Sequence, residues 1–134
     1  MAAEGGSTTG AGEFGGAFRV RRVYEPPEPE DGVRVLVDRL WPRGLSKERA
    51  AVDEWPKDLT PSAQLRTWYH QDRSRYPEFQ RRYRAELAEP QAEAAVVRLL
   101  GLVRTAPAVT LVTSVHEVAH SHVPTLLQHL SEQL

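Results

Sequence analysis

The chain contains no cysteine, a single methionine and, among 17 basic residues, only two lysines, Lys47 and Lys57. The missing thiols exclude disulfide scaffolds, Cys-based zinc sites and thiol nucleophiles, and they allow a reducing compartment, so a cytoplasmic location is expected. No stretch approaches the roughly 20 consecutive apolar residues of a membrane span, and the N-terminus lacks the basic and apolar regions of a signal peptide, so no membrane partner is expected. An excess of charge is missing too. The net charge is -1, whereas a nucleic-acid-binding domain often shows a pI above about 9. Neither a GxGxxG loop, a Walker A loop nor a GxSxG elbow occurs, so the familiar cofactor and serine-hydrolase motifs are missing and no cofactor is expected.

A chain of 134 residues suits one domain with one core. Its first eighteen residues, MAAEGGSTTGAGEFGGAF, offer little to bury against an ordering cost of about 1–2 kcal/mol per residue. Residues 1–18 are therefore expected to form a flexible tail, open to being in part an expression remnant, with a single domain over 19–134. No internal repeat suggests a solenoid, and nothing sets an oligomeric state.

Beyond the tail, FRVRRVY alternates apolar and basic residues as a half-buried strand does, and PPEPEDG stops it. Val33–Val37 reads as a second strand that delivers Asp38 to its carboxyl end. Ser46 fits the N-cap of a short helix to about Ala51, and Val52–Trp55 reads as a brief strand or extended segment. Helices are expected over SAQLRTWYHQ, from Ser74 to Ala88, from Gln91 to Arg104 and from Ser121 to Glu132, with a clear strand at Val109–Thr113. Strands interleaved with helices predict an α/β fold: a small, mostly parallel sheet of about four strands with helices on its faces, a three-layer, Rossmann-like arrangement.

In open α/β sheets, ligands bind outside the carboxyl ends of the strands. The segments expected there are Asp38–Gly44, Trp55–Ser62 and Ser114–His122. The first belongs to DRLWPRGLSKE, in which a tryptophan lies between two arginines and a Pro-Arg-Gly turn. Arg43 could grip a phosphate or carboxylate with its planar fork, Pro42 stiffens the approach, and Gly44 lets backbone come near a ligand. Asp38 serves either as a general base or as a structural ion-pair partner of Arg39, and Trp41 as core or as stacking platform. In the second segment, Lys57 and Ser62 stand before a helix N-terminus that already favours an anion, and Arg66 adds charge. In the third, Ser114 and His122 sit at the sheet edge, His122 opening the last helix, where the dipole lowers an imidazole pKa and suits it to proton transfer. The predicted site is thus Asp38 and His122 as catalytic groups, with Arg39, Trp41, Arg43, Lys57, Ser62, Arg66 and Ser114 binding ligand.

Two competing patterns remain. HEVAH (116–120) imitates the HExxH zinc signature, but two histidines four apart share a face only on a continuous helix. This stretch directly follows a strand, so no HExxH zinc site is expected, and a metal-dependent hydrolase would need a looser cluster of His116, His120 and His122. The arginine-rich helix 74–88 could instead serve a nucleic-acid or regulatory partner. The preferred reading is a strand-end pocket for a phosphate-bearing or other anionic small molecule, in an enzyme or a sensor.

The strings RVYEPPEPEDGVRVLVDRLWPRGLSKE, DEWPKDLTPSAQLR, the pattern from His70 to Leu87 and the ending VTLVTSV…SHV resemble the YeaO-like bacterial proteins, domain-of-unknown-function family four-eight-eight. The resemblance spans Arg19 to the C-terminus and implies the domain without implying an activity. Family members typically carry lysine where this chain has His116, and often Asn-His where it has Ser121-His122. The resemblance therefore lends His116 no role.

Overall fold

The computed structural model describes residues 13–14 and 17–134. The tail expected over residues 1–18 lies largely outside the described residues; Glu13–Phe14 pairs as a two-residue strand, β1, and Phe18 is already buried in the core. The apolar runs read from the sequence become β2 (Phe18–Arg22), β3 (Val33–Leu36) and β4 (Val109–Thr113). β4 lies at the centre, parallel to β2 on one side and to β3 on the other, while β1 extends the β2 edge antiparallel. All five residues of β4 are buried, which is why VTLVT is a continuous run instead of an alternation.

The parallel sheet therefore has three strands, not about four. The segment expected as a further strand, Val52–Trp55, contributes only an isolated bridge between Val35 and Glu54. Pro56 follows at once, and proline has no N–H with which to continue a ladder.

Five α-helices complete the described chain: α1 (Lys47–Ala50), α2 (Ala63–Gln71), α3 (Tyr76–Leu87), α4 (Pro90–Thr105) and α5 (Val123–Gln133). Ser46 and Ser62 cap α1 and α2 through the N–H groups of Arg49 and Leu65. The helix expected from Ser74 begins as a 3-10 turn, Arg73–Arg75, and becomes α-helical at Tyr76, with Pro77 in its first turn. The last helix starts at Val123 instead of Ser121, because the Ser121 hydroxyl accepts from the Val123 N–H and donates to the Val118 carbonyl, closing the preceding turn.

Helices α2–α5 all pack against one face of the sheet. Val20, Val35 and Leu111 meet Tyr69, Phe79, Tyr83, Leu99 and Leu126 there. Fully burying a Val, Leu or Phe side chain contributes roughly 1.5–3 kcal/mol, so this cluster dominates the stability. On the other face, Val23, Leu36 and Val112 pack against Ala50, Trp41, Leu45, Val52 and Trp55. That face is covered by the one-turn α1, loops and two tryptophans instead of the second helical layer expected. The connection from β2 to β3, residues 23–32, explains the difference. It holds three prolines and one 3-10 turn, Pro29–Asp31, and is too short for the helical crossover that parallel strands usually use.

Asp31 fastens this connection. Its carboxylate accepts from Arg34 at 2.7 Å, Arg21 at 2.9 Å and Arg19 at 3.1 Å, and from the Glu28 N–H at 3.1 Å. Arg34, equally buried, gives its remaining donors to the Ala50 and Val23 carbonyls. Gly32 follows in the left-handed region with φ 62°, and a Cβ there would stand 2.1 Å from the Ala108 carbonyl oxygen.

Gly32→Ala should therefore destabilise the protein by at least about 2 kcal/mol, read as a lowered denaturation midpoint in chemical unfolding. Asp31 adds a pH signature. Burial pulls its carboxyl upward, but the Glu28 N–H, Arg34 and Arg21 outweigh this and hold it below its ordinary 3.8. A depressed folded value means that its stabilisation is complete above about pH 3.8 and is lost as pH falls through the folded value. Asp31→Asn should lower stability at pH 7 and flatten the acid limb of the stability curve below pH 4.

Candidate functional site

Because β2, β3 and β4 are parallel, Arg22, Asp38 and Ser114 emerge at the same edge of the sheet. A cleft of about 1010 Å³ opens there. One wall is the loop after β3, from Asp38 to Arg43, with Tyr24 from the end of β2 beside it. The opposite wall is the cleft-facing side of α2, with Arg66, Tyr69 and His70, continued by Arg73 from the 3-10 turn that follows. The loop from Ser114 to His122 closes the third side.

Asp38 sits at the root of the cleft, 8% exposed. Its carboxylate accepts the Thr113 hydroxyl at 2.6 Å, the Ser114 N–H at 2.7 Å and the Ser114 hydroxyl at 2.8 Å. Its backbone carbonyl accepts the Trp55 indole N–H at 2.8 Å. His122, also 8% exposed, places Nε2 2.6 Å from the Val37 carbonyl oxygen and 3.7 Å from Asp38 Oδ1. A carbonyl can only accept, so Nε2 carries the proton. Burial lowers the His122 pKa; the Asp38 carboxylate and Val37 carbonyl partly oppose it, and Arg66 adds to it. The shift runs in the expected direction, but burial comes first among its causes.

The remaining predicted residues divide. Arg39, Trp41, Arg43, Arg66 and Ser114 line the cleft together with Asp38 and His122. Arg39 donates to the Pro61 carbonyl at 3.0 Å, fixing the loop against the start of α2. Trp41 is half-buried; its indole donates to the Leu45 carbonyl at 2.6 Å and its ring meets Trp55 edge-on at 5.4 Å. Lys57 and Ser62 stand outside the lining. The Lys57 ammonium lies over the Trp55 ring at 4.1 Å, and Ser62, besides capping α2, bonds to Glu86 through its N–H and hydroxyl. Gly44 lies outside the lining as well; its φ of 75°, with open space around it, shows that it is used for backbone conformation.

Reading from the sequence missed Arg22, Tyr24, His70 and Arg73. The rule that ligands sit at strand carboxyl ends would have found Arg22 and Tyr24 had it been applied to β2 as well as to β3 and β4. His70 sits between arginines, and its pKa is lowered by burial and then by Arg73 and Arg66.

HEVAH does not form a helical turn pair: Val118–His120 is a 3-10 turn, and His120 Nδ1 lies 3.5 Å from a Glu117 carboxylate oxygen. Among the described residues, no cluster of three or more His, Asp or Glu side chains could hold a metal. On α3, Arg81 and Arg82 both pair with Glu78, and Arg84 engages Gln128 and Glu132. No helix is long and apolar enough to cross a membrane among the described residues.

Residues 17–134 match the family model described as the "Inactive DUF488-N3 subclade". The chain is 46% identical over 113 residues to an uncharacterized protein of Mycobacterium tuberculosis, covering 84% of this chain and 92% of that one. It is 42% identical over 105 residues to the uncharacterized protein YeaO of Escherichia coli, covering 78% and 89%. No solved structure matches the chain at a significant level.

Burial of neutral His122 sets a second pH dependence. With its folded pKa below the ordinary 6.5, the unfolded chain takes up the proton first. Stability is thus retained above about pH 6.5 and declines as pH falls below it, by up to about 1.4 kcal/mol per pH unit for one proton. Denaturant unfolding of His122→Gln, which can keep the hydrogen bond to Val37 without a titrating group, should show a shallower decline between pH 6.5 and 5. His70 supplies a residual slope.

Proposed function

The chain belongs to the YeaO-like family, within its Inactive DUF488-N3 subclade, and from that premise we propose that it is a cytoplasmic binding protein or sensor whose strand-end cleft holds a phosphate-bearing or other anionic small molecule. The observation that carries this reading is a charge imbalance. Arg22, Arg39, Arg43, Arg66 and Arg73 line the cleft, against the carboxylates of Asp38 and Glu117. Guanidinium groups match phosphate and carboxylate oxygens two at a time, and their charge persists at any physiological pH. A concave site with a surplus of such groups concentrates anions.

Binding fits the geometry better than turnover does. Three donors already occupy the Asp38 carboxylate, and His122 Nε2 is committed to Val37. These contacts give both groups a structural task, and the proton on Nε2 leaves Nδ1 as the one ring nitrogen of His122 with a lone pair. Asp38 and His122 hold the edge of the cleft in place, and the word "inactive" in the subclade's description agrees with a site used for binding.

Inorganic pyrophosphate and a panel of phosphorylated metabolites should raise the melting temperature of the full chain. In isothermal titration, Arg66→Ala and Arg43→Ala should each weaken binding at least about tenfold, or roughly 1.4 kcal/mol. The reading fails if no phosphate-bearing compound shifts the melting temperature.

A further inference from the structure

We infer that Arg22 and Tyr24, at the end of β2, form an anchoring corner of the cleft, and that the ligand it takes joins a flat aromatic ring to its anionic group, as a nucleoside diphosphate does. This rests on the anion reading above and specifies what the anion is attached to.

Arg22 carries the first part. One of its terminal nitrogens donates to the Ser114 carbonyl at 3.0 Å, while Nε is buried without a partner. Among the described residues, no carboxylate lies within ion-pair distance of it. A buried donor left unmet costs desolvation free energy that an acceptor would return. Arg22 lines the cleft, so a small turn of the guanidinium toward an entering anion would exchange an unmet donor for a charged hydrogen bond.

Tyr24 and Leu40 carry the second. They are 43% and 63% exposed, two of the four large hydrophobic residues found exposed among the described residues, and both line this cationic cleft. The Tyr24 hydroxyl donates to the Arg43 carbonyl at 3.1 Å, and the Arg22 guanidinium lies 5.5 Å from its ring centroid. The ring is held in place yet left open to solvent, so stacking on it would cost little ordering entropy. A bare phosphate would need no apolar lip, whereas a base attached to one would cover it.

Isothermal titration of the full chain with ADP and UDP, against pyrophosphate as the ring-free comparison, separates the two parts. Each nucleotide should bind at least tenfold tighter than pyrophosphate. Tyr24→Ala should erase that advantage while pyrophosphate affinity stays within twofold, and Tyr24→Phe, which keeps the ring, should retain it. Arg22→Gln should weaken all three ligands tenfold or more, in a variant whose circular dichroism and cooperative melting match those of the parent. Nucleotides binding no tighter than pyrophosphate would overturn the aromatic assignment and leave the anion reading standing. No binding by any of the three would overturn both. An unaffected Arg22→Gln would remove Arg22 from the site.

Discussion

The Asp38 carboxylate is the interaction on which the architecture of the cleft depends. By accepting from Thr113 and from both donors of Ser114, it ties the carboxyl end of β3 to that of β4. The same short stretch of backbone receives the Trp55 indole at the Asp38 carbonyl and His122 at the Val37 carbonyl. Three parts of the chain, at Thr113–Ser114, Trp55 and His122, are thereby fixed to two adjacent residues. Hydrogen bonds to a charged acceptor are roughly twice as strong as neutral ones. Removing Asp38 would leave the Thr113 and Ser114 donors to find other partners at a nearly closed edge, so the position of the whole third wall rests on this group.

Arginine is abundant throughout the chain, and its uses are sorted by what lies nearby. Arg34, Arg21 and Arg19 converge on Asp31 beneath the β2–β3 connection. Arg81 and Arg82 share Glu78 on the exposed side of α3, where such pairs are worth little. Along the cleft, Arg39 is directed to backbone carbonyls, Arg73 lies over the Tyr69 ring at 5.5 Å, and Arg22 retains an unmet donor. The near-neutral total charge conceals this arrangement, because balance over the chain says nothing about balance along one edge.

What could be read from the sequence was what local chemistry decides. VTLVT was recognisable as a buried strand because a central parallel strand is apolar on both sides, and Ser46 was a recognisable cap because a hydroxyl before a helix meets its free N–H groups. Asp38, Arg43 and His122 line one cleft, in agreement with placing strand ends at a common edge. What local chemistry does not carry is handedness and side. Nothing in FRVRR or VRVLV says which face receives all four long helices, so a second helical layer was expected where a proline-rich connection and two tryptophans lie. Lys57 and Ser62 precede a helix N-terminus, as an anion site requires, but Ser62 turns to Glu86 and Lys57 to Trp55. Proximity along the chain did not become proximity in space. His122 was assigned its low pKa for the helix terminus, whereas burial is the larger cause, and burial depends on packing that a single sequence does not display.

The block DRLWPRG separates into residues that the fold uses and residues that it leaves over. Asp38 joins strands, Arg39 fastens the loop to the start of α2, Trp41 bonds to Leu45, and Gly44 supplies a positive φ. Leu40 stands exposed, and among the described residues Arg43 is engaged only at its backbone carbonyl, which accepts from Tyr24. A leucine and an arginine that do little for the fold in a loop otherwise so fully committed are an unfavourable use of surface unless something covers them. Both line the cleft beside Arg22 and Tyr24, and an anion carrying an apolar ring is the kind of occupant that would engage both at once.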